Sequence, residues 1–320
     1  MIAAIAIGRN EGERLRRCLD SLHGKVARIV YVDSGSTDGS VELAQARGVE
    51  VVALDMARPF TAARARNAGL ERLREGARPD FVQFVDGDCE VRPDWIGTAF
   101  AFLCDHPAVA VVCGRRRERF PDASLYNAHC DREWDTPIGE ARACGGDALM
   151  RMSALDQIGG YDPRLIAGEE PEMCVRLRAQ GWKIWRLDAE MTLHDAAMAR
   201  FSQFWNRARR AGHAYAEGAH LHGAPPERHC VAKLRRALIW GLALPSGIVF
   251  AALVASPWAL VLVGIYPAQI VRLARRGGGT WVAWQEALLL TAAKFAEARG
   301  ALEFHVNRLV GKRAGLIEYK

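Results

Sequence analysis

Asp86-Gly87-Asp88 sets two carboxylates one residue apart around a glycine. Hard oxygen donors in this arrangement suit Mg²⁺ or Mn²⁺, shared between protein and substrate phosphates. The same three residues also make an ordinary polar turn, since Asp and Gly are turn formers. What precedes them bears on the choice. Phe81-Val82-Gln83-Phe84-Val85 is an apolar run of strand length, with the composition of a strand buried on both faces of a parallel sheet. The carboxylates therefore stand at a strand's carboxyl end, where open α/β sheets bind ligands. A second acidic group, Glu169-Glu170-Pro171-Glu172, follows Gly168 and opens a helix, where the dipole favours anions and proline fits the first turn.

The elements that must position these groups alternate. Ile2 to Ile7 reads as a strand, followed by a helix carrying Leu15, Cys18, Leu19 and Leu22. Ala27 to Val32 is a second strand, ending in Asp33-Ser34-Gly35-Ser36-Thr37-Asp38-Gly39-Ser40, dense in turn and cap residues. Val49 to Leu54 is a third strand and Thr61 to Glu75 a helix. The alternation predicts a parallel, three-layer α/β/α sheet. No G-x-G-x-x-G follows the first strand, so a dinucleotide fingerprint is absent. Residues 115–145 read as irregular, with Arg115-Arg116-Arg117 in a polar stretch, and Cys144-Gly145-Gly146-Asp147 returns to the core. Trp182 to Leu187 reads as a short strand, His194 follows it, and a basic helix spans about Met198 to Glu217.

Composition narrows the class. The chain has 320 residues, half of them hydrophobic, and a net charge of +6. Its eight cysteines show no C-x-x-C spacing, so no zinc site is indicated and reduced thiols are expected. The N-terminus lacks a basic region and a long apolar core, so it reads as a first strand and not a signal peptide. The composition changes after residue 236. From Ala237 to Val271, 35 positions carry no charge. A single span needs about 20 residues, and Ser256-Pro257 breaks the stretch into two. Lys233, Arg235 and Arg236 precede it and Arg272, Arg275 and Arg276 follow it, which puts both ends on the cytoplasmic face. A buried helical hairpin in a soluble domain is the plainer alternative. Trp281, Trp284, Leu288, Leu289 and Phe295 read as one side of an interfacial helix.

Over residues 1–215 the sequence resembles a family-2 glycosyltransferase of the GT-A fold. Asn10-Glu11, Val32-Asp33-Ser34-Gly35-Ser36-Thr37-Asp38-Gly39, Arg66-Asn67-Ala68-Gly69, Asp86-Gly87-Asp88, and Gly159-Gly160-Tyr161-Asp162 followed by Gly168-Glu169-Glu170 occur in that family's order. The resemblance implies that Glu11 and Asp33 accept hydrogen bonds from the nucleoside of a sugar nucleotide, and that Arg66 positions the donor. It implies that Asp86 and Asp88 hold Mn²⁺ or Mg²⁺, with His194 as a further ligand, and that Asp86 also faces the donor. It makes Glu170 the base of an inverting transfer, with Glu169 as the alternative, because the pair is Glu-Glu where the family has Glu-Asp. Adjacent carboxylates raise one another's pKa, a shift that suits a base. The family's polymer-forming members carry Gln-X-X-Arg-Trp, which Gln203-Phe204-Trp205-Asn206-Arg207 does not match. Arg207, Arg209 and Arg210 could face anionic lipid or a lipid phosphate.

These readings predict a transferase domain at 1–217, a basic linker at 218–236, a hydrophobic membrane hairpin at 237–271, and basic or amphipathic helices at 272–320. The expected partners are a nucleotide-sugar donor, a lipid-linked or envelope-glycan acceptor and the cell membrane, with the catalytic domain on its cytoplasmic face and no nucleic acid. A sugar-nucleotide nucleotidyltransferase and a non-catalytic membrane scaffold remain as alternatives.

Overall fold

The computed structural model describes residues 1–312 and 315–318, so residues 313, 314, 319 and 320 of the expected C-terminal segment lie outside the described residues. Two compact units divide the chain, Met1–Ala197 and Met198–Lys320. The division falls before the expected 217, because the helix Phe201–His222 packs within the second unit.

In the first unit, β1 (Ile2–Gly8), β2 (Arg28–Asp33), β3 (Glu50–Ala53) and β4 (Phe81–Asp86) are parallel, in the order β3-β2-β1-β4. Helices α1 (Glu13–Leu22), α2 (Ser40–Gln45) and α3 (Ala62–Arg74) connect them. Ala3, Ala4, Ile5 and Ala6 on β1 and Val82, Gln83 and Phe84 on β4 are wholly buried, as strands covered on both faces must be. The one polar residue of that run, Gln83, accepts a hydrogen bond from Trp95 Nε1 at 2.8 Å. From β1 the chain turns to β2 on one side and later returns to β4 on the other. The topological switch point is therefore at the carboxyl ends of β1 and β4, where Ile7 pairs with Asp86.

Beyond β4 the sheet is mixed and not parallel. Helix α4 (Trp95–Asp105) follows β5 (Cys89–Val91) and leads to β6 (Val109–Glu118). Residues 115–145 are more regular than their sequence predicts. β6 runs on to Glu118, Ser124 Oγ caps α5 (Leu125–Glu133) by accepting the Asn127 N–H at 3.0 Å, and β7 (Gly139–Ala141) follows. β8 (Ala148–Arg151) lies antiparallel between β4 and β6. After α6 (Met152–Ile158) and α7 (Glu169–Ala179), β9 (Lys183–His194) runs parallel to β6 and pairs antiparallel with β5 and β7. His194 thus ends a long strand, where the sequence predicts one that stops at Leu187.

The second unit contains α8 (Phe201–His222), α9 (Val231–Leu238), one π-helical turn at Ile239–Ala243, α10 (Leu244–Val254), a 3₁₀ stretch at Pro257–Gly264, α11 (Ile265–Arg276) and α12 (Trp281–Leu309). The expected linker 218–236 is thus largely the end of α8 and most of α9. Two helical stretches, Val231–Val254 and Pro257–Arg276, are long and apolar enough to cross a membrane. Only 11% and 6% of their most apolar windows are buried, which sets them apart from the core helices of a soluble protein. Leu253 and Trp258 are each 82% exposed. Tyr266 Oη donates to the Trp240 carbonyl at 2.7 Å and fixes the register of the two stretches. In α12 the expected apolar side is split: Trp281 and Leu288 are exposed while Leu289 is buried, one residue round the helix.

Candidate active site

Two loops at the switch point are tied together first. Asn10 adopts φ 57°, its side-chain oxygen accepts the Thr37 N–H at 2.7 Å, and its own N–H donates to Ser36 Oγ at 2.9 Å. Asp33 is buried and caps the second loop: Oδ2 accepts the Gly35 and Ser36 N–H groups, each at 2.9 Å, and Oδ1 accepts Tyr31 Oη at 3.0 Å. Glu11 pairs with Arg14 at 2.8 Å. Both residues therefore carry structural bonds at the position where the resemblance calls for a nucleoside contact.

Arg66 is the centre of the site. It is 3% exposed. Its Nη2 bonds Asp86 Oδ1 at 2.9 Å, and its Nη1 lies 2.9 Å from Glu169 Oε1 and 2.8 Å from Glu170 Oε1. The neighbouring motif residues have separate tasks. Asn67 Nδ2 donates to the Tyr161 carbonyl at 2.8 Å and its Oδ1 accepts the Tyr161 N–H at 3.0 Å, which pins the Gly159-Gly160-Tyr161 turn against α3. Gly69 lies flat on Ile5 of β1, whose Cγ2 would be 2.6 Å from a Cβ there. One four-residue run thus touches Ile5, Asp86, the Tyr161 turn and the Glu169-Glu170 pair.

Burial pushes the Asp86 carboxyl up, but Arg66 and Arg116 more than reverse this and hold it below the usual carboxylate range. Glu170 goes the other way. Burial raises it and Glu169 and Asp86 add to the rise, against the pull of Arg66, leaving a pKa of about 7. Among the two acids Glu170 is the more accessible, its side chain 12% exposed against 5% for Glu169.

Asp88 and His194 form the second focus. Asp88 Oδ2 lies 3.4 Å from His194 Nε2, and Glu118 Oε2 lies 3.4 Å from Nδ1 on the other side of the ring. Burial, aided by Arg116, lowers the His194 pKa and keeps the imidazole neutral. A proton on Nδ1, facing Glu118, leaves the Nε2 lone pair directed at the Asp88 carboxylate. Two buried acceptor atoms facing one another in this way fit a cation, and a carboxylate with an imidazole is a donor set for Mn²⁺. Trp134 packs edge-on to His194, with ring centroids 4.8 Å apart.

All eight residues singled out in the sequence lie in the first unit. Arg66, Asp86, Glu169 and Glu170 come into direct contact, Asp88 meets His194, and Glu11 and Asp33 stand on the loops that follow β1 and β2. The sequence reading missed Arg116, Glu118, Trp134, Gly146 and Asp147. Asp147 is buried, accepts the Asp86 N–H at 3.0 Å and the Thr192 hydroxyl at 2.7 Å, and so orients the loop. A Cβ on Gly146 would stand 2.7 Å from Arg66 Nη2 and 2.9 Å from Asp86 Oδ2, so the ion pair needs glycine there. A charged residue at the return to the core, after two glycines, was the available signal for this pair.

Residues 5–159 match the family described as Glycosyl transferase family 2. The succinoglycan biosynthesis protein ExoA of Rhizobium meliloti (strain 1021) is 28% identical over 205 residues, which cover 60% of this chain and 60% of that protein. The pre-mycofactocin glycosyltransferase of Mycobacterium tuberculosis (strain CDC 1551 / Oshkosh) is 27% identical over 200 residues, 58% of this chain and 41% of the relative. The chain thus spans less than two thirds of the length of either relative. Among solved structures, the mannosyltransferase PcManGT from Pyrobaculum calidifontis, in complex with GDP-Man and Mn²⁺, superposes with a TM-score of 0.62 at 21% identity, covering 91% of this chain and 85% of that one. At that identity the likeness establishes a shared fold.

Proposed function

We propose that this chain, whose residues 5–159 match the glycosyl transferase family 2 model, transfers a sugar, with inversion, from a nucleotide-sugar donor to an acceptor at a membrane surface. One observation carries the reading. A single buried guanidinium, Arg66, bonds the metal-motif residue Asp86 on one side and the Glu169-Glu170 pair on the other. Donor loop and base thereby share one anchor.

Asp88 and His194 would hold Mn²⁺ or Mg²⁺, which supplies Lewis-acid stabilisation of the charge on the departing nucleoside diphosphate. Asp86, kept ionised by its two arginines, accepts hydrogen bonds from the donor, and Glu11 and Asp33 border the nucleoside. Glu170 takes the proton of the acceptor hydroxyl as the sugar carbon is attacked. Its pKa of about 7 matches the working pH of such a base, and its greater accessibility favours it over Glu169. The exposed apolar hairpin supports a membrane location, and its basic flanks support a cytoplasmic face for the transferase unit. A lipid-linked or envelope-glycan acceptor fits that location. The relatives support the class: one is named for succinoglycan biosynthesis and another as a pre-mycofactocin glycosyltransferase.

The test uses full-length protein in detergent with Mn²⁺, a panel of nucleotide sugars and membrane lipid extract as acceptor. Nucleoside diphosphate released from one donor, abolished by EDTA and by Asp88→Ala, is the expected result. Glu170→Gln should lower turnover by about 10³-fold, within the range general-base catalysis contributes, while Glu169→Gln retains more activity. The product anomer, read by proton NMR, should be opposite to the donor's. Pyrophosphate release would indicate a nucleotidyltransferase instead, and turnover unaffected by Asp88→Ala would remove the metal assignment.

A further inference from the structure

Two groups of metal-ligating side chains meet at Cys89. Asp88, Cys89 and His194 form one, and Asp86, Cys89 and Asp147 the other, each with its donor atoms within 4.8 Å of one another. The second group already surrounds a positive charge. Arg116 Nη2 lies 2.9 Å from Asp86 Oδ2 and 2.9 Å from Cys89 Sγ, and its Nε lies 3.2 Å from Asp147 Oδ2. The Trp134 ring covers the guanidinium, 5.1 Å from its carbon to the ring centroid. Its side chain is only 15% exposed.

We propose that Arg116 is the resident cation of the Asp86–Cys89–Asp147 group and occupies the place of a second divalent ion, so that the centre takes a single metal ion beside Asp88 and His194. The first-ion half of this statement rests on the metal reading above; the Arg116 half rests on its own contacts. Asp147 is buried and Asp86 half-buried, and two carboxylates this close repel one another unless a cation stands between them. Enzymes with paired metal ions meet the same demand with a second ion about 4 Å from the first. A guanidinium meets it permanently, because it stays charged at any working pH and its planar fork contacts several acceptors at once. It also keeps Asp86 out of direct metal ligation, so this carboxylate remains an acceptor for the donor.

Register makes the assignment specific to this arginine. Arg115, Arg116 and Arg117 are consecutive, yet only Arg116 pairs with Asp86 and Asp147: Arg115 bonds Asp131 at 2.9 Å, and Arg117 bonds Glu190 at 3.0 Å and lies 4.0 Å from Asp131. Irregularities in β6 against β9 fall between Cys113 and Arg115 and again between Arg115 and Arg116. Bulges of this kind re-aim a side chain, and here they accompany the turn of Arg116 into the site.

The experiment titrates Mn²⁺ alone into the full chain in detergent and counts bound ions by electron paramagnetic resonance. The variants are Arg116→Met, Arg116→Lys and Arg116→Met with Asp147→Asn. Arg116→Met should bind one Mn²⁺ more than wild type, and the additional Asp147→Asn change should abolish that extra ion. Arg116→Lys should match wild type. Equal stoichiometry in Arg116→Met and wild type overturns the proposal. Should Arg116→Met fold poorly without metal, the readout becomes thermal: Mn²⁺ must raise its unfolding temperature more than that of wild type, and an equal or smaller rise overturns the proposal as well. The two readings fail separately. Wild type binding no Mn²⁺ while Arg116→Met binds one defeats the metal reading and supports this one; one ion in each does the reverse.

Discussion

The two units of this chain bring distant segments into close contact in different ways. In the first, charge is buried around the site and compensated group by group: Arg66 against Asp86, Glu169 and Glu170, and Arg116 against Asp86 and Asp147. In the second, α8 and α12 meet backbone to backbone. A Cβ on Gly212 would overlap the Glu297 carbonyl oxygen, and one on Gly300 would overlap the Arg209 carbonyl oxygen. Alanines make up much of the rest of the buried side of α12, Ala287, Ala296, Ala298 and Ala301 among them, beside Leu289, Thr291, Glu297 and Phe304. Small residues at the contact let the two helices approach this closely. Charges in the second unit pair as well, Lys294 with Glu297 along α12 and Arg209 of α8 with Glu303 of α12, both at 2.6 Å. Arg209 is thus engaged within the protein, and not solely available to lipid. Buried charge is costly and is kept where chemistry uses it; glycine contacts are kept where helices must touch.

That contrast can be broken by substitution. The largest effect is expected from Asp88→Asn. It should lower nucleoside diphosphate release by about 10³-fold, because metal stabilisation of the leaving group is worth several kcal/mol, while the unfolding temperature stays close to wild type. Gly300→Leu should do the opposite. Forcing a side chain between α8 and α12 should cost about 3 kcal/mol, at the upper end for overpacking, read by denaturant unfolding in detergent. Donor binding by the first unit, read by nucleotide-sugar titration, should survive at low denaturant. A Gly300→Leu protein as stable as wild type would remove the distinction between the units.

Smaller effects sharpen it. Gly146→Ala should lower kcat/KM by about 10- to 100-fold, since an Arg66–Asp86 separation that grows by a fraction of an ångström misplaces the donor loop. Its stability should change less than its activity. The pH dependence should be the mildest signature. Glu170 is protonated below a pKa of about 7 and cannot accept a proton in that form, so kcat/KM should rise roughly tenfold per pH unit below 7 and level off above it. A flat profile from pH 5.5 to 8 would remove Glu170 as the base.

Much of the site was legible in the sequence because its signals are local. An apolar five-residue run followed by Asp-Gly-Asp is a strand and a turn wherever it stands, and β4 ends at Asp86 as that pattern predicts. Arg66-Asn67-Ala68-Gly69 was readable as a motif, although not why its members differ; the structure gives each a separate contact. Residues 115–147 were illegible for a physical reason. Arg115-Arg116-Arg117 carries the composition of a solvated basic run, and a strand bearing three charges has no apolar alternation to mark it. The partners of those charges lie far away in sequence: Arg116 is drawn in by Asp86 and Asp147, while Arg117 stays exposed and pairs with Glu190.

The sequence by itself determined which residue types stand at the ends of β1, β2 and β4, the acid pair that opens α7, and the uncharged length from Ala237 to Val271. These follow from short-range pattern and from composition. The tertiary structure alone decided that one arginine bridges Asp86 and the acid pair, that Glu118 faces His194, that β8 turns the sheet antiparallel, and that Gly146 leaves room for an ion pair. Each of these depends on two segments many tens of residues apart meeting at one place. Long-range packing of helices on the sheet and the register of its strands set that meeting, and a one-residue slip of a strand would turn its side chains to the opposite face.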